Sequence, residues 1–253
     1  MITEPRIFYK PFEYQDAFDF YKNQHRAHWL ADEVPLASDL NDWKLKLNES
    51  EKNLIGNILK SFAQTEVHVN DYWSTKVSIW FPKPEIQAMA RVFADFESIH
   101  AEAYARLNEE LGLDDFKAFM EDETSKNKIE RLIEVPGNTI EEQAISLAIF
   151  SAFTEGVNLF SSFAILMSFQ LRNLMKGTGQ IVKWSVRDES LHSKAGCWLF
   201  RTLLQEQPHL NTPELRDKVI EACHLSVKLE FDFIEKAFEM GDIDGLNKEQ
   251  LKA

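Results

Sequence analysis

The sequence predicts an all-α chain folded as one large helical bundle, and three observations carry that prediction. Apolar residues recur at intervals of three and four through most of the 253 residues. Only nine Gly and eight Pro are present, set at the edges of the periodic segments, which leaves little material for the turns of a many-stranded sheet. The tetrapeptide Glu97-Ser98-Ile99-His100 has an echo in Glu189-Ser190-Leu191-His192, and each follows a helix whose apolar stripe carries a single acid.

Composition narrows the class further. The chain is 44% apolar with nineteen Phe and six Trp, enough for a large core filled by aromatic rings. A net charge of -13 argues against a nucleic-acid binder, whose footprint would be basic. No charge-free apolar run reaches the roughly 18 residues a membrane span needs, and the start MITEPRIFYK is not a signal sequence. A cytoplasmic protein, not bound to membranes, is expected. Cys197 and Cys223 make no metal-binding spacing and read as buried free thiols.

Taken in order, residues 1–9 read as an extended arm, after which Phe18, Tyr21, His25 and Trp29 keep a helical rhythm that Pro35 breaks. Asn48 with Glu51 forms a capping box, and behind it Leu54, Ile58, Phe62, Glu66, Val69 and Trp73 share one face. Pro82 and Pro84 separate that helix from the next, whose stripe is Ile86, Met89, Phe93, Glu97, His100, Tyr104 and Leu107, closed by Gly112. Residues 114–136 read as a charged crossover with a helix of its own. Thr139 with Glu142 forms a second capping box, opening a helix with Ala148, Ala152, Glu155, Leu159, Phe163 and Leu166 inward. After a break at Gly177-Thr178-Gly179, the stripe Val182, Ser185, Glu189, His192, Gly196, Leu199 and Leu203 begins. Pro208 and Pro213 bracket a turn into a last helix, read as facing inward through Val219, Cys223, Val227, Phe231, Ile234 and Phe238. The expected architecture is one domain over residues 1–253.

Four acids in apolar stripes need an explanation, because a lone ionised carboxylate in a core costs several kcal/mol or more. Glu66 lies 31 residues before Glu97 and Glu155 lies 34 before Glu189, each enough for half a helix, a turn and half a helix back. All four acids then sit at one height in a four-helix bundle. Glu-x-x-His puts carboxylate and imidazole on one helix face, one turn apart. Four carboxylates contribute -4 and two divalent cations return +4, so the filled site is neutral, and oxygen with imidazole donors suits iron or manganese. Two lone Glu and two Glu-x-x-His pairs are the pattern by which ferritin-like di-iron and di-manganese carboxylate proteins are known.

With these motifs, the sequence resembles the small, radical-generating subunit of class I ribonucleotide reductase. The resemblance spans essentially the whole chain through Trp29-Leu30-Ala31-Asp32-Glu33-Val34, Glu97-Ser98-Ile99-His100 with Tyr104 following, and Arg187-Asp188-Glu189-Ser190-Leu191-His192. It implies a ferritin-like fold and metal ligands at Glu66, Glu97, His100, Glu155, Glu189 and His192. It also implies a radical tyrosine at Tyr104, and radical transfer through Asp188 and Trp29 to a separate large subunit that reduces ribonucleotides. A homodimer along the Glu66 and Glu97 hairpin and an activating flavoprotein are further implied partners.

Glu66 stands where many iron-tyrosyl members carry Asp, and glutamate there marks branches that use manganese, alone or with iron. A Mn2 or Mn/Fe site is therefore expected ahead of di-iron. Leu159 and Ser185 replace bulkier or more apolar residues near Tyr104, which implies a less sealed pocket. The family's further C-terminal helices and tail are expected to be missing beyond 241–251. Competing readings are a ligand-binding oxidase of the same superfamily, a ferritin-type metal store and a relative with a dead site.

Overall fold

A computed structural model of the chain describes residues 1–113 and 137–252, so the expected crossover helix at 114–136 lies outside the described residues. The described helices are α1 (Gln15–Arg26), α2 (Ala37–Leu45), α3 (Glu49–Asp71), α4 (Pro84–Leu111), α5 (Ile140–Ile149), α6 (Phe160–Leu171), α7 (Lys176–Glu206), α8 (Pro213–Ala237) and α9 (Lys248–Lys252). A π-helical segment, Tyr72–Val77, prolongs α3, and a second, Phe150–Asn158, joins α5 to α6. Among the described residues there is no β-strand, only an isolated bridge between Ile243 and Leu246.

The bundle is two helical hairpins. α3 and α4 pack along their length, the α5–α6 rod packs on α7, α1 covers α4, and α8 lies on α5 and its π segment. Local chemistry sets the ends. The Asn48 carboxamide accepts from the Glu51 N–H at 2.9 Å while Glu51 accepts from the Asn48 N–H at 3.0 Å, and Thr139 with Glu142 repeats the arrangement. Pro84 starts α4 and Gly112, at φ +72°, ends it in the left-handed conformation. The stripes read for α3 and α4 are buried throughout.

Elsewhere the sequence reading needs correction. α1 ends at Arg26, so Trp29 sits past it, and the helix buries Ala17 and Gln24 rather than Phe18 and His25. α2 was not foreseen. Its Asp39 accepts from the Gly177 and Thr178 N–H groups at 2.9 and 2.6 Å, and Asp42 accepts from Met175 N–H, so α2 caps α7. Gly177-Thr178-Gly179 is accordingly the first turn of α7, and the break lies just before it, where Asn173 and Met175 take positive φ. On α8 the buried residues are Leu215, Ser226, Leu229, Glu230, Phe233, Ile234 and Ala237; of the expected stripe Ile234 and the following Phe238 are buried, while Val227 and Phe231 are more than a third exposed. Cys197 and Cys223 are free but only half-buried.

The stretch Ile140–Leu171 is long and apolar enough to cross a membrane by length and composition alone, yet 61% of its window is buried inside the bundle. Glu155 lies in its middle. It is the core rod of the second hairpin.

The N-terminal arm is tied down by one buried ion pair. Arg6 donates to both oxygens of Glu85, at 3.2 and 2.5 Å, and Glu85 also accepts from the Glu13 and Tyr14 N–H groups. Burial pushes the Glu85 carboxyl up, but the Arg6 guanidinium and these N–H groups outweigh it and hold the group below the usual carboxylate range. A group depressed in the folded chain contributes stability that is complete above its unfolded-state value, about 4.3, and is lost as pH falls through the folded one. Thermal melts should therefore show an acid-side loss of stability that Glu85→Gln flattens; an unchanged acid limb in that variant would refute the assignment.

Candidate metal centre

Six side chains from four helical segments converge in the middle of the bundle, all with no exposed surface: Glu66 from α3, Glu97 and His100 from α4, Glu155 from the π segment and Glu189 and His192 from α7. They form two overlapping groups, Glu66-Glu97-His100-Glu189 and Glu97-Glu155-Glu189-His192, with the donor atoms of each group within 4.8 Å of one another. Glu97 and Glu189 belong to both. Every ligand position expected from the sequence is thus brought together.

Local structure explains the placement. A π-helical turn carries an extra residue, shifting the face that follows, and such turns concentrate at functional sites. It lets α5–α6 bury Phe150, Ser151, Thr154, Glu155 and Asn158 around one bend. α7 approaches closely there, since a Cβ at Gly196 would meet Ser151 Oγ at 1.9 Å. Only glycine allows that approach, one turn beyond His192.

The electrostatics are those of a cage waiting for cations. His192 Nδ1 lies 2.6 Å from Glu97 Oε1 and 3.5 Å from Glu189 Oε2, and His100 Nδ1 lies 3.0 Å from Glu97 Oε2 and from Glu189 Oε1. Even so, both oxygens of Glu66 and of Glu189, Glu97 Oε1, Glu155 Oε2 and His192 Nδ1 are buried with no aligned hydrogen-bond partner among the described residues. Donor atoms that crowd together without bonding one another are aimed at a common third centre. Buried polar atoms left so are costly, and two metal ions would satisfy them. The donor set of four carboxylates and two imidazoles fits.

The acid–base balance says the same. Burial and the charges of Glu97 and Glu189 push Glu66 well up, and burial with Glu189 does so for Glu155. Burial alone would raise Glu189, but the Glu155 carboxyl and the His100 and His192 imidazoles crowded against it outweigh that and hold it below the usual range. Burial lowers the His192 imidazolium, yet Glu97 and Glu189 outweigh that and hold it at about 9.

The surroundings orient the donors. His100 Nε2 donates to Asp188 Oδ2 at 3.3 Å, and Trp29 Nε1 donates to the same oxygen at 2.8 Å. Trp29 also stacks near His100, centroids 5.7 Å apart. An acid bonded to a ligand imidazole fixes its tautomer and leaves Nδ1 facing the cage. The Tyr104 hydroxyl donates to Ser185 Oγ at 2.8 Å, and its ring lies 4.7 Å from Phe62. Tyr104 is fully buried, and burial with the charge of Glu66 pushes its phenol well up, so the proton stays on.

Two supporting residues escaped the sequence reading. The Gln24 carbonyl accepts from His192 Nε2 at 3.1 Å, and Trp73 Nε1 donates to Glu155 Oε1 at 2.9 Å. The seven-residue step from Ala17 to Gln24 was the available signal for the first. Trp73 was already in the stripe of Glu66, but as packing.

Fold and site together define a ferritin-like helical bundle with a dinuclear metal site. The family model of the ribonucleotide reductase small chain matches residues 6–253, and the chain belongs to that family. A small subunit of ribonucleoside-diphosphate reductase inferred for Invertebrate iridescent virus 6 is 34% identical over 253 residues, 94% of this chain and 70% of the relative. The fold is shared with the dimanganese(II) NrdF of Streptococcus sanguinis, at TM-score 0.85 and 20% identity over 98% of this chain and 87% of that one. An R2-like ligand-binding oxidase with a reconstituted Mn/Fe cofactor shares it at TM-score 0.81 and 16% identity, over 95% and 90% of the two chains.

Proposed function

We propose that the chain is the radical-generating subunit of ribonucleoside-diphosphate reductase, holding two metal ions between Glu66, Glu97, His100, Glu155, Glu189 and His192. The observation that carries this reading is a buried cage of unpartnered donors continued outward by one hydrogen-bonded chain, His100 to Asp188 to Trp29. When bound, the ions supply redox chemistry with an oxygen species that carboxylates and imidazoles cannot perform alone.

The chain's own residues do the rest. Glu97 and Glu189 belong to both donor groups and would serve both ions, while Glu66 with His100 and Glu155 with His192 would each serve one. Asp188 Oδ2 takes both the His100 Nε2 and Trp29 Nε1 hydrogen bonds, so the indole proton has an acceptor in place when an electron leaves the ring. Ser185 accepts the hydrogen bond of the Tyr104 hydroxyl at the inner end of the route, where Tyr104, Ser185 and Leu159 are all buried, so the pocket expected to be less sealed is closed to the surface. The recipient of the oxidising equivalent is the large catalytic subunit.

Manganese, alone or with iron, is favoured over di-iron because Glu66 reaches one methylene further than Asp and can change coordination mode. A homodimer along the α3–α4 hairpin is the assembly that membership of the family favours.

Reconstitution with manganese, iron or both, followed by metal analysis, electron paramagnetic resonance and assay with the large subunit, tests the reading. Two ions per chain and deoxyribonucleotide formation are expected, best with manganese present. Oxidation of a small bound molecule, with no ribonucleotide reduction in any loading, would establish the oxidase reading instead. Asp188→Asn keeps the shape but removes the charge, and should lower turnover about 10- to 100-fold. Unchanged turnover in that variant would remove Asp188 from the route.

A further inference from the structure

The outer face of α7 carries Lys176, Lys183, Arg187, Lys194 and Arg201, all exposed. Their spacings of 7, 4, 7 and 7 residues bring five cations within about 20° of one line running about 37 Å along the helix. The acids of this helix fall elsewhere: Asp188 and Glu189 are buried, and Glu206 is held at its end by Tyr14 and the Ile2 N–H. Lys176, Lys183, Lys194 and Arg201 pair with no acid among the described residues. On a chain of net charge -13, an unneutralised cationic line of this length is not a solvated average surface.

The line passes over the outlet of the metal centre. Arg187 donates to Asp188 Oδ1 at 3.3 Å and to the Ala27 carbonyl, which fixes its guanidinium at the mouth of a cleft of about 390 Å³. Asn23, Ser190, Leu191 and Lys194 complete the walls, so two cations and an apolar side chain face one hollow. Trp184, between Lys183 and Arg187 in the helix, is half-buried with its ring centroid 5.2 Å from that of Trp29.

We infer that this face of α7 is the docking surface for an acidic segment of the large subunit, with a carboxylate side chain seated between Arg187 and Lys194 and the remaining cations guiding approach. The inference rests on the function proposed above and adds to it where the partner sits. Charge complementarity requires an acidic occupant. A second copy of this chain would also be acidic, but seated here it would cover Trp29, Asp188 and Trp184, the side through which the oxidising equivalent leaves. The large subunit is the partner that must reach that side.

The test uses the full metal-loaded chain and the purified large subunit, with association followed at low and at high ionic strength. Lys183→Glu with Lys194→Glu should weaken binding at least 10-fold at low ionic strength, mainly through slower association, and the difference should shrink as salt screens it. Lys183→Gln with Lys194→Gln should fall between that pair and the wild type. Lys44→Glu with Lys228→Glu, the same charge change placed elsewhere on the surface, should bind as the wild type does. Metal content and helical circular dichroism should be the same in all four proteins. Equal binding by the Lys183/Lys194 and Lys44/Lys228 reversals would overturn the docking surface while leaving the proposed function standing. Failure of the wild type itself to bind the large subunit at either ionic strength would overturn both.

Discussion

Glu189→Gln should cost the chain both of its metal ions, not one. Glu189 belongs to both donor groups, and its two oxygens are among the buried atoms without an aligned partner. An amide offers one neutral oxygen where the cage supplies a charged bridge, so each ion position loses a ligand and half of a compensating charge. Glu66→Gln touches only the Glu66-Glu97-His100-Glu189 group and should leave one ion in place. Metal analysis after desalting separates the outcomes: two ions for the wild type, one for Glu66→Gln, fewer than one for Glu189→Gln. A thermal readout follows by linkage. At a hundredfold excess over its dissociation constant each ion stabilises the folded chain by about 2.7 kcal/mol, or roughly 5–10 °C in Tm for a chain of this size. The wild type should show that rise on adding manganese and Glu189→Gln should not. Retention of two ions by Glu189→Gln would show that the two positions do not share it.

Arg6→Ala should destabilise the fold by about 3–5 kcal/mol, because it strands a charged Glu85 in a buried site. Arg6 is itself buried and also reaches the Phe8 and Tyr9 carbonyls, so its loss frees the N-terminal arm as well. Denaturant melts should show the midpoint falling without a change in metal stoichiometry. Arg6→Met combined with Glu85→Leu should recover much of the loss, since apolar side chains of similar volume carry no charge to strand. A loss under 1 kcal/mol in Arg6→Ala would mean that water replaces the guanidinium at Glu85.

The two hairpins and the six donor side chains that converge between them were legible in the sequence because helix periodicity and donor chemistry speak through the same spacing. A carboxylate in an apolar stripe breaks the pattern that defines the stripe, so Glu66, Glu97, Glu155 and Glu189 announced themselves, and the capping boxes at Asn48 and Thr139 fixed the registers. The roles of Asp188, Trp29 and Tyr104 came from family resemblance, and periodicity would have read the two aromatics as packing. The α8 face was only half right because Val227 and Phe231 continue the apolar rhythm of Ile234 and Phe238 at the rim of a surface hollow, where α9 covers them in part. The Gly177-Thr178-Gly179 break was misplaced because its glycines serve close packing: a Cβ at Gly177 would meet Leu36 at 2.8 Å, and one at Gly179 would meet the Gln170 side chain.

By itself the sequence determined the all-α class, the order of the long helices and six donor side chains at one height, all of which follow from spacing along a regular helix. Only the tertiary structure decided which donors the two ion positions share, that Gln24 and Trp73 hold His192 and Glu155, and that Asp39 and Asp42 cap α7. Each of those joins residues far apart in the chain, where helical geometry fixes no distance and packing between helices alone sets it.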